Sequence, residues 1–154
     1  MIALNTYSFA IRMGLIGNNK KIWKFENFLK FCKKKKIKKI EFPIDFFAKK
    51  EEKNFEFFFK LLEKYKLKYL IDLENFEISH VNKILSLSKK YPNKIIRVKM
   101  SNFFGGNRYK QKNFLKCKKN FITKLRKVTP ILEKNNCQIA IENHQDLSSL
   151  EIIE

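Results

Sequence analysis

The chain is poor in the residues that build a disulfide framework or a structural zinc site. It has three cysteines, Cys32, Cys117 and Cys137, which are far apart and form no Cys-x-x-Cys pair. An odd number of widely spaced cysteines argues against both kinds of cross-link. We therefore expect three reduced thiols in a cytoplasmic protein.

Glycine and long apolar runs are scarce as well. A dinucleotide-binding fold usually carries a Gly-x-Gly-x-x-Gly turn after its first strand, but the segment from Tyr7 to Arg12 contains no glycine. The pair Gly105-Gly106 is interpreted as a flexible turn. No apolar run approaches the ~18 residues of a membrane span, and the N-terminus lacks the features of a signal peptide. We expect no membrane partner.

Arginine is rare in a chain whose formal net charge is +19. Four of the 34 basic residues are arginines, which leaves 30 lysines. Nucleic-acid recognition favours arginine for its bidentate fork. Lysine, Phe, Ile and Asn share A/T-rich codons, so a biased genome explains the charge more simply. We interpret the lysines as solvated helix faces and do not expect a nucleic-acid partner.

Strand-like and helix-like segments alternate along the chain. The predicted strands are 2–7, 37–42, 68–73, 95–100 and the run that ends at 142. The predicted helices are about 23–36, 51–65, 78–90 and 113–135, with a fifth that opens at Ser148. Such alternation predicts an α/β fold with a parallel sheet and right-handed crossovers. A doubly wound open sheet and a (β/α)8 barrel are the two alternatives.

Each of the four predicted helices carries an apolar stripe at helical spacing, which predicts packing against a sheet. The stripes are Phe25, Phe28, Leu29 and Cys32; Phe55, Phe58, Phe59 and Leu62; Val81, Ile84, Leu85 and Ser88; and Cys117, Phe121, Leu125, Val128 and Leu132. Pro130 should kink the last helix, since proline removes an intrahelical hydrogen bond.

Acidic residues occur at the ends of the predicted strands. The run Ile139 to Ile141 leads directly into Glu142, Asn143 and His144, and parallel α/β folds bind ligands at the carboxyl ends of their strands. Carboxylates and a histidine can hold Mg²⁺ or Mn²⁺. A bound metal and a second carboxylate suit the isomerisation or epimerisation of a sugar.

Other acids at strand ends are open to a simpler interpretation. Glu41, Asp72, Glu74 and Asp146 also fall at or just beyond predicted strands. For Asp72, Glu74 and Asp146 we favour helix capping and loop solvation. For Glu142 we favour a functional site.

A family resemblance is carried by the segment from Lys124 to Ser149, above all by Ile141-Glu-Asn-His-Gln-Asp146. It resembles the sugar phosphate isomerase/epimerase group of the xylose isomerase-like TIM barrels. Residues 3–9, near the start of the chain, and residues 40–43, at the end of the second predicted strand, are similar to that group as well. The resemblance implies that residues 1–154 are the first five βα units of a (β/α)8 barrel, with the helices outside and strands six to eight absent. The end of the chain one turn into a helix favours the same expectation.

The resemblance implies a divalent metal, Mn²⁺, Mg²⁺, Co²⁺ or Zn²⁺, with Glu142 as one ligand. The other ligands would come from strands six to eight, so we do not expect this chain alone to hold the ion, and no catalytic acid is assigned. The substrate would be a small sugar or sugar phosphate. Candidate substrate contacts by position are Asn5, Tyr7, Glu41, Arg108 and His144; His144 could instead orient Glu142.

Two alternatives stay open. The chain could be a non-catalytic partial barrel that associates with itself or with a complementary C-terminal half, because an open sheet exposes its edges. An endonuclease IV-like DNA-repair enzyme would suit the charge. Those enzymes use several histidines at strand ends, however, and this chain has only His80 and His144, of which only His144 follows a strand.

Overall fold

The computed structural model describes residues 3–17, 21–88, 94–101, 113–143 and 150. The fold is α/β, with five strands that alternate with helices. The strands are β1 Leu4–Asn5, β2 Lys39–Pro43, β3 Lys68–Leu73, β4 Ile95–Lys99 and β5 Gln138–Glu142. The α-helices are α1 Ala10–Met13, α2 Phe25–Lys34, α3 Ile44–Glu51, α4 Phe55–Tyr65, α5 Ile78–Ser88 and α6 Phe114–Lys134.

The chain divides into two compact units. Unit 1 comprises Met1–Asp72 and Leu87–Asn93, and unit 2 comprises Leu73–Ser86 and Lys94–Glu154. In unit 1, β1 pairs in parallel with β2, and β2 pairs in parallel with β3. In unit 2, β4 pairs in parallel with β5. The predicted parallel α/β architecture is confirmed; closure into a barrel stays a prediction.

Phenylalanine rings form the core of unit 1. The ring of Phe25 on α2 lies 4.6 Å from that of Phe42 on β2, 5.2 Å from Phe47 on α3 and 5.3 Å from Phe58 on α4, measured between centroids. Tilted and edge-on pairs of this kind add to the gain from burial. The predicted stripes of α2 and α4 are confirmed, because all eight of their side chains are buried.

The segment before α4 forms a helix that the sequence did not predict. We predicted one helix over 51–65, but α3 ends at Glu51 and α4 begins at Phe55. Glu52 between them has a φ of 51°, a left-handed conformation that ends α3. Asn54 then caps α4, since its Oδ1 accepts a hydrogen bond of 3.0 Å from the Phe57 backbone N–H.

Glu51 at the end of α3 also caps α2. Its Oε1 accepts a hydrogen bond of 2.6 Å from the backbone N–H of Phe25, the first residue of α2. A carboxylate at a helix N-terminus accepts a hydrogen bond from an otherwise unpaired backbone N–H and interacts favourably with the helix dipole. No residue immediately before α2 could have revealed this cap, because the acceptor lies 26 positions away in the sequence.

We expect Glu51→Ala to lower the free energy of unfolding by about 1–2 kcal/mol. The reason is that the Phe25 N–H loses a charged acceptor in a partly buried place. Urea unfolding followed by circular dichroism measures the change. Glu63→Ala, at an exposed position of α4, is the matched control and should stay within about 0.5 kcal/mol of the wild type. Equal effects of the two substitutions would contradict the capping role.

The first strand is shorter than predicted. It covers only Leu4–Asn5, and a 3₁₀ turn, Thr6–Phe9, follows it before α1. The Oδ1 of Asn5 accepts a hydrogen bond of 2.8 Å from the Tyr7 N–H. That bond gives the backbone an alternative to the sheet ladder and turns the chain. Our prediction that the strand continues to Tyr7 is therefore wrong.

Unit 2 packs α5 and α6 with apolar residues. Val81, Ile84 and Leu85 of α5 are buried, as the periodicity predicts, and Ile96 and Val98 of β4 are buried as well. On α6 the stripe is confirmed at Phe121, Val128 and Leu132, whereas Cys117 and Leu125 are only half-buried. Pro130 lies within α6, and the kink there stays a prediction. Ser88's side chain and the helix predicted from Ser148 lie outside the described residues.

None of the helices within the described ranges is both long enough and apolar enough to span a membrane.

Candidate functional site

The sheet of unit 1 has one apolar face and one polar face. Side chains alternate along a strand, and register partners in a parallel pair share a face. Ile40, Phe42 and Ile71 are fully buried on one face. Asn5 pairs in register with Glu41 on the other. The structure thus brings these two candidate substrate contacts to neighbouring positions, and their contact with a substrate stays a prediction.

Asp72 shares the face of Asn5 and Glu41. It follows Leu70, the register partner of Glu41, by two residues on β3, and it is only 1% exposed. The solvation that we favoured for Asp72 is wrong, because the side chain is removed from solvent; the capping role stays a prediction. Three polar residues therefore follow one another across β1, β2 and β3.

Tyr7 lies in different surroundings. It is part of the 3₁₀ turn and lines a pocket of about 520 Å³ together with residues 8–12 and 16. Neither Asn5 nor Glu41 contributes to that lining. The placement of Tyr7 at a strand end is corrected accordingly, and its contact with a substrate stays a prediction.

Glu142 is the last residue of β5, as predicted. Its Oε2 lies 3.0 Å from Nη1 of Arg97, and the two side chains are 30% and 19% exposed. The register explains the contact: Glu142 pairs with Lys99, and Arg97 precedes Lys99 by two residues on the same face of β4. Arg97 was not predicted as a site residue, although charged positions alternate with the buried Ile96 and Val98 in that strand.

Lys99 is the second residue that the sequence analysis missed. Its side chain is 9% exposed, and its Nζ lies 3.8 Å from Oε1 of Glu74. It is one of the residues that line a pocket of about 410 Å³ at the carboxyl end of β4. Glu74, which we interpreted as a capping or solvated residue, instead forms an ion pair on the wall of this pocket.

The three cysteines are free, as predicted. Burial raises the pKa of the Cys32 thiol in α2 to about 11. Burial also raises the pKa of Cys137. Cys117 is half-buried on α6 and lines the pocket that contains Lys99.

A complete metal site is not formed by the residues that the structure describes. Among them, no three His, Cys, Asp or Glu side chains lie close enough to share an ion. Glu142 is the predicted ligand, yet its nearest charged partner is the cationic Arg97. The described side chains alone would supply one predicted ligand of such a site, Glu142. Arg108, His144 and Asp146 lie outside the described residues, and His80 is on α5, the helix predicted for it.

No protein-family model, curated protein or solved structure matches the chain. The resemblance to the sugar phosphate isomerase/epimerase group therefore stays a prediction from the sequence.

Proposed function

We propose that the chain is the N-terminal portion of a divalent-metal-dependent isomerase or epimerase that acts on a small sugar or sugar phosphate. Glu142 would be the metal ligand that this portion contributes. The observation that supports the proposal is the place of this carboxylate at the carboxyl end of a parallel strand. Strand ends of this kind are where parallel α/β folds assemble their sites.

The geometry of Glu142 suits a ligand that is held in place. Arg97 contacts Oε2 at 3.0 Å, and the Glu142 side chain is 30% exposed. An arginine that holds one carboxylate oxygen orients the whole group. A carboxylate oxygen is the hard donor that Mg²⁺ and Mn²⁺ prefer.

The remaining parts of the site follow from chemistry. A divalent cation, when bound, polarises a carbonyl oxygen of the substrate. Within unit 1, taken by itself, Asn5 and Glu41 are register partners on a polar face of the sheet. An amide and a carboxylate can together donate to and accept from the hydroxyl groups of a sugar. The other metal ligands would come from strands six to eight of the barrel.

Localised Mn²⁺ binding tests the role of Glu142. In the complete barrel, which supplies the remaining ligands, substoichiometric Mn²⁺ should broaden the NMR signals of backbone amides at the end of β5, including Asn143. We expect Glu142→Gln to need about ten times more Mn²⁺ for the same broadening, because one charged ligand is lost. Glu133→Gln removes a carboxylate at an exposed position of α6 and should behave as the wild type. Identical broadening in Glu142→Gln and the wild type would refute the assignment.

The reaction itself is tested by hydrogen exchange in D₂O. A keto sugar phosphate incubated with Mn²⁺ and the complete barrel, which supplies the remaining ligands, should incorporate deuterium at the carbon next to its carbonyl group. The incorporation should depend on Mn²⁺ and disappear in Glu142→Gln. Incorporation at the wild-type rate in that variant would contradict the proposed mechanism.

One observation favours a second candidate, a chain without catalytic activity. Glu142 pairs with Arg97 and Glu74 pairs with Lys99, so the charges on this part of unit 2 compensate one another. If their role is structural, Glu142→Gln should lower the free energy of unfolding while Mn²⁺ broadening stays unchanged.

A further inference from the structure

A pocket in unit 2 combines two lysines with three neutral hydrogen-bonding side chains. It lies between the end of β4, residues 74–76 and the first half of α6, and its volume is about 410 Å³. That volume lies in the range of small-molecule sites. Its lining is Glu74, Asn75, Phe76, Lys99, Met100, Ser101, Cys117, Asn120, Phe121 and Lys124.

Lys99 is the unusual member of this lining. Its side chain is 91% buried, being 9% exposed, and removing an ammonium group from water is costly unless partners replace the water. Its ion pair with Glu74 is 3.8 Å long, which is beyond hydrogen-bonding distance. Within the described ranges Lys99 donates no side-chain hydrogen bond. A largely buried cation with three N–H groups therefore lines this pocket, and no acceptor among the described residues takes a hydrogen bond from it.

Lys124 lines the pocket from α6. Its Nζ donates to the Phe76 carbonyl oxygen and to Oε1 of Glu77, both at 2.8 Å. These two bonds fix the position of the ammonium group and leave it one further N–H. The lining thus carries two lysines and one glutamate, while Glu77 pairs with Lys124 from outside the lining. The amides of Asn75 and Asn120 and the hydroxyl of Ser101 complete its polar groups.

We propose that this pocket binds a phosphate group, either free or carried by a small organic molecule. A phosphate is a compact dianion whose several oxygens can accept bonds from ammonium, amide and hydroxyl donors at once, and bonds to charged donors are the strong ones. A bound phosphate would supply hydrogen-bond acceptors for Lys99, whose ion pair with Glu74 is 3.8 Å long. The inference rests on the geometry of unit 2 and not on the proposed function, since it requires neither a metal nor Glu142.

Titration with inorganic phosphate at constant ionic strength, followed by NMR, tests the proposal. We expect Lys99→Met to weaken binding at least about tenfold, because a charge-assisted bond is lost. Lys127→Met removes the same charge from an exposed position of α6 that does not line the pocket, and it should bind as the wild type does. Asn120→Ala, at an exposed position of the lining, should weaken binding several-fold even if Lys99→Met folds poorly.

Cys117 supplies an independent readout because it lines the same pocket. Phosphate should slow its alkylation in the wild type and in Lys127→Met, but not in Lys99→Met. Glycerol 3-phosphate compared with inorganic phosphate distinguishes the two sources: tighter binding of the former indicates an organic phosphate, and equal binding indicates the free ion.

Two results would overturn the inference. One is an equal loss of affinity in Lys127→Met and Lys99→Met, which would show only attraction to a basic surface. The other is unchanged phosphate binding in both Lys99→Met and Asn120→Ala. Glu142→Gln should retain phosphate binding, so failure of the proposed metal site and failure of the phosphate pocket are distinguishable.

Discussion

The Phe25→Ala variant is expected to lose about 3–5 kcal/mol of its free energy of unfolding. Phe25 is fully buried, and its ring lies within 6.4 Å of four other phenylalanine rings, on α2, β2, α3 and α4. Removing the ring loses its burial and leaves a cavity that neighbours on four elements cannot all close. The backbone N–H of residue 25 keeps its bond to Glu51, so the loss measures packing and not capping.

Urea unfolding of Phe25→Ala, Phe25→Leu and Phe57→Ala separates packing from a general effect of losing an aromatic ring. Leucine keeps most of the apolar volume and should cost roughly 1.5 kcal/mol or less. Phe57 on α4 is half-buried and contacts Phe58 at 5.4 Å, so its truncation should cost about 1 kcal/mol. Similar losses in Phe25→Ala and Phe57→Ala would show that the core of unit 1 is not centred on Phe25.

The elements that the sequence predicted well are those with a local signal. The stripe Phe25, Phe28, Leu29 and Cys32 repeats at the period of a helix, and all four side chains are buried. The strand Lys68–Leu73 was predicted with the bounds that the structure gives. Both patterns depend on spacing within one segment, which is why they can be read without tertiary information.

The elements that were missed depend on contacts or on short stretches. The helix α3 has only eight residues, too few for a clear period, and Pro43 was interpreted as the end of a strand without a helix after it. The first strand was predicted too long because the turn at Asn5 depends on one side-chain hydrogen bond. The strand propensities of several residues do not include the effect of a single side-chain hydrogen bond.

The residues of the candidate site also fall into those with a local sequence signal and those that depend on tertiary contacts. Glu142 at the end of β5 was predicted from the change from apolar to polar residues. Lys99 was not, because in a chain with 30 lysines the solvated interpretation is the reasonable one for any of them. Its burial and its ion pair with Glu74 arise from tertiary packing. The alternation of Arg97 and Lys99 with Ile96 and Val98 was the only local signal, and it also identifies Arg97.

Alkylation of the native protein at pH 8 is expected to modify Cys117 at least about a hundredfold faster than Cys32. The thiolate is the reactive form, and burial raises the pKa of Cys32 to about 11. Only about one Cys32 side chain in a thousand is then ionised at pH 8. The side chain is also fully buried, so the reagent can reach it only after local unfolding. Raising the pH to 9 should increase the ionised fraction of Cys32 tenfold and still leave it near one per cent.

Iodoacetamide labelling followed by peptide mass spectrometry measures the three rates separately. In denaturant, where burial no longer acts, Cys32 and Cys117 should react at similar rates, and Cys117→Ser should leave the slow Cys32 rate unchanged in the native protein. Cys32 and Phe25 share one stripe of α2, so Phe25→Ala should speed Cys32 labelling by about a hundredfold or more as opening becomes easier. Native Cys32 that reacts as fast as Cys117 would contradict both its raised pKa and the packing of α2 against the core of unit 1.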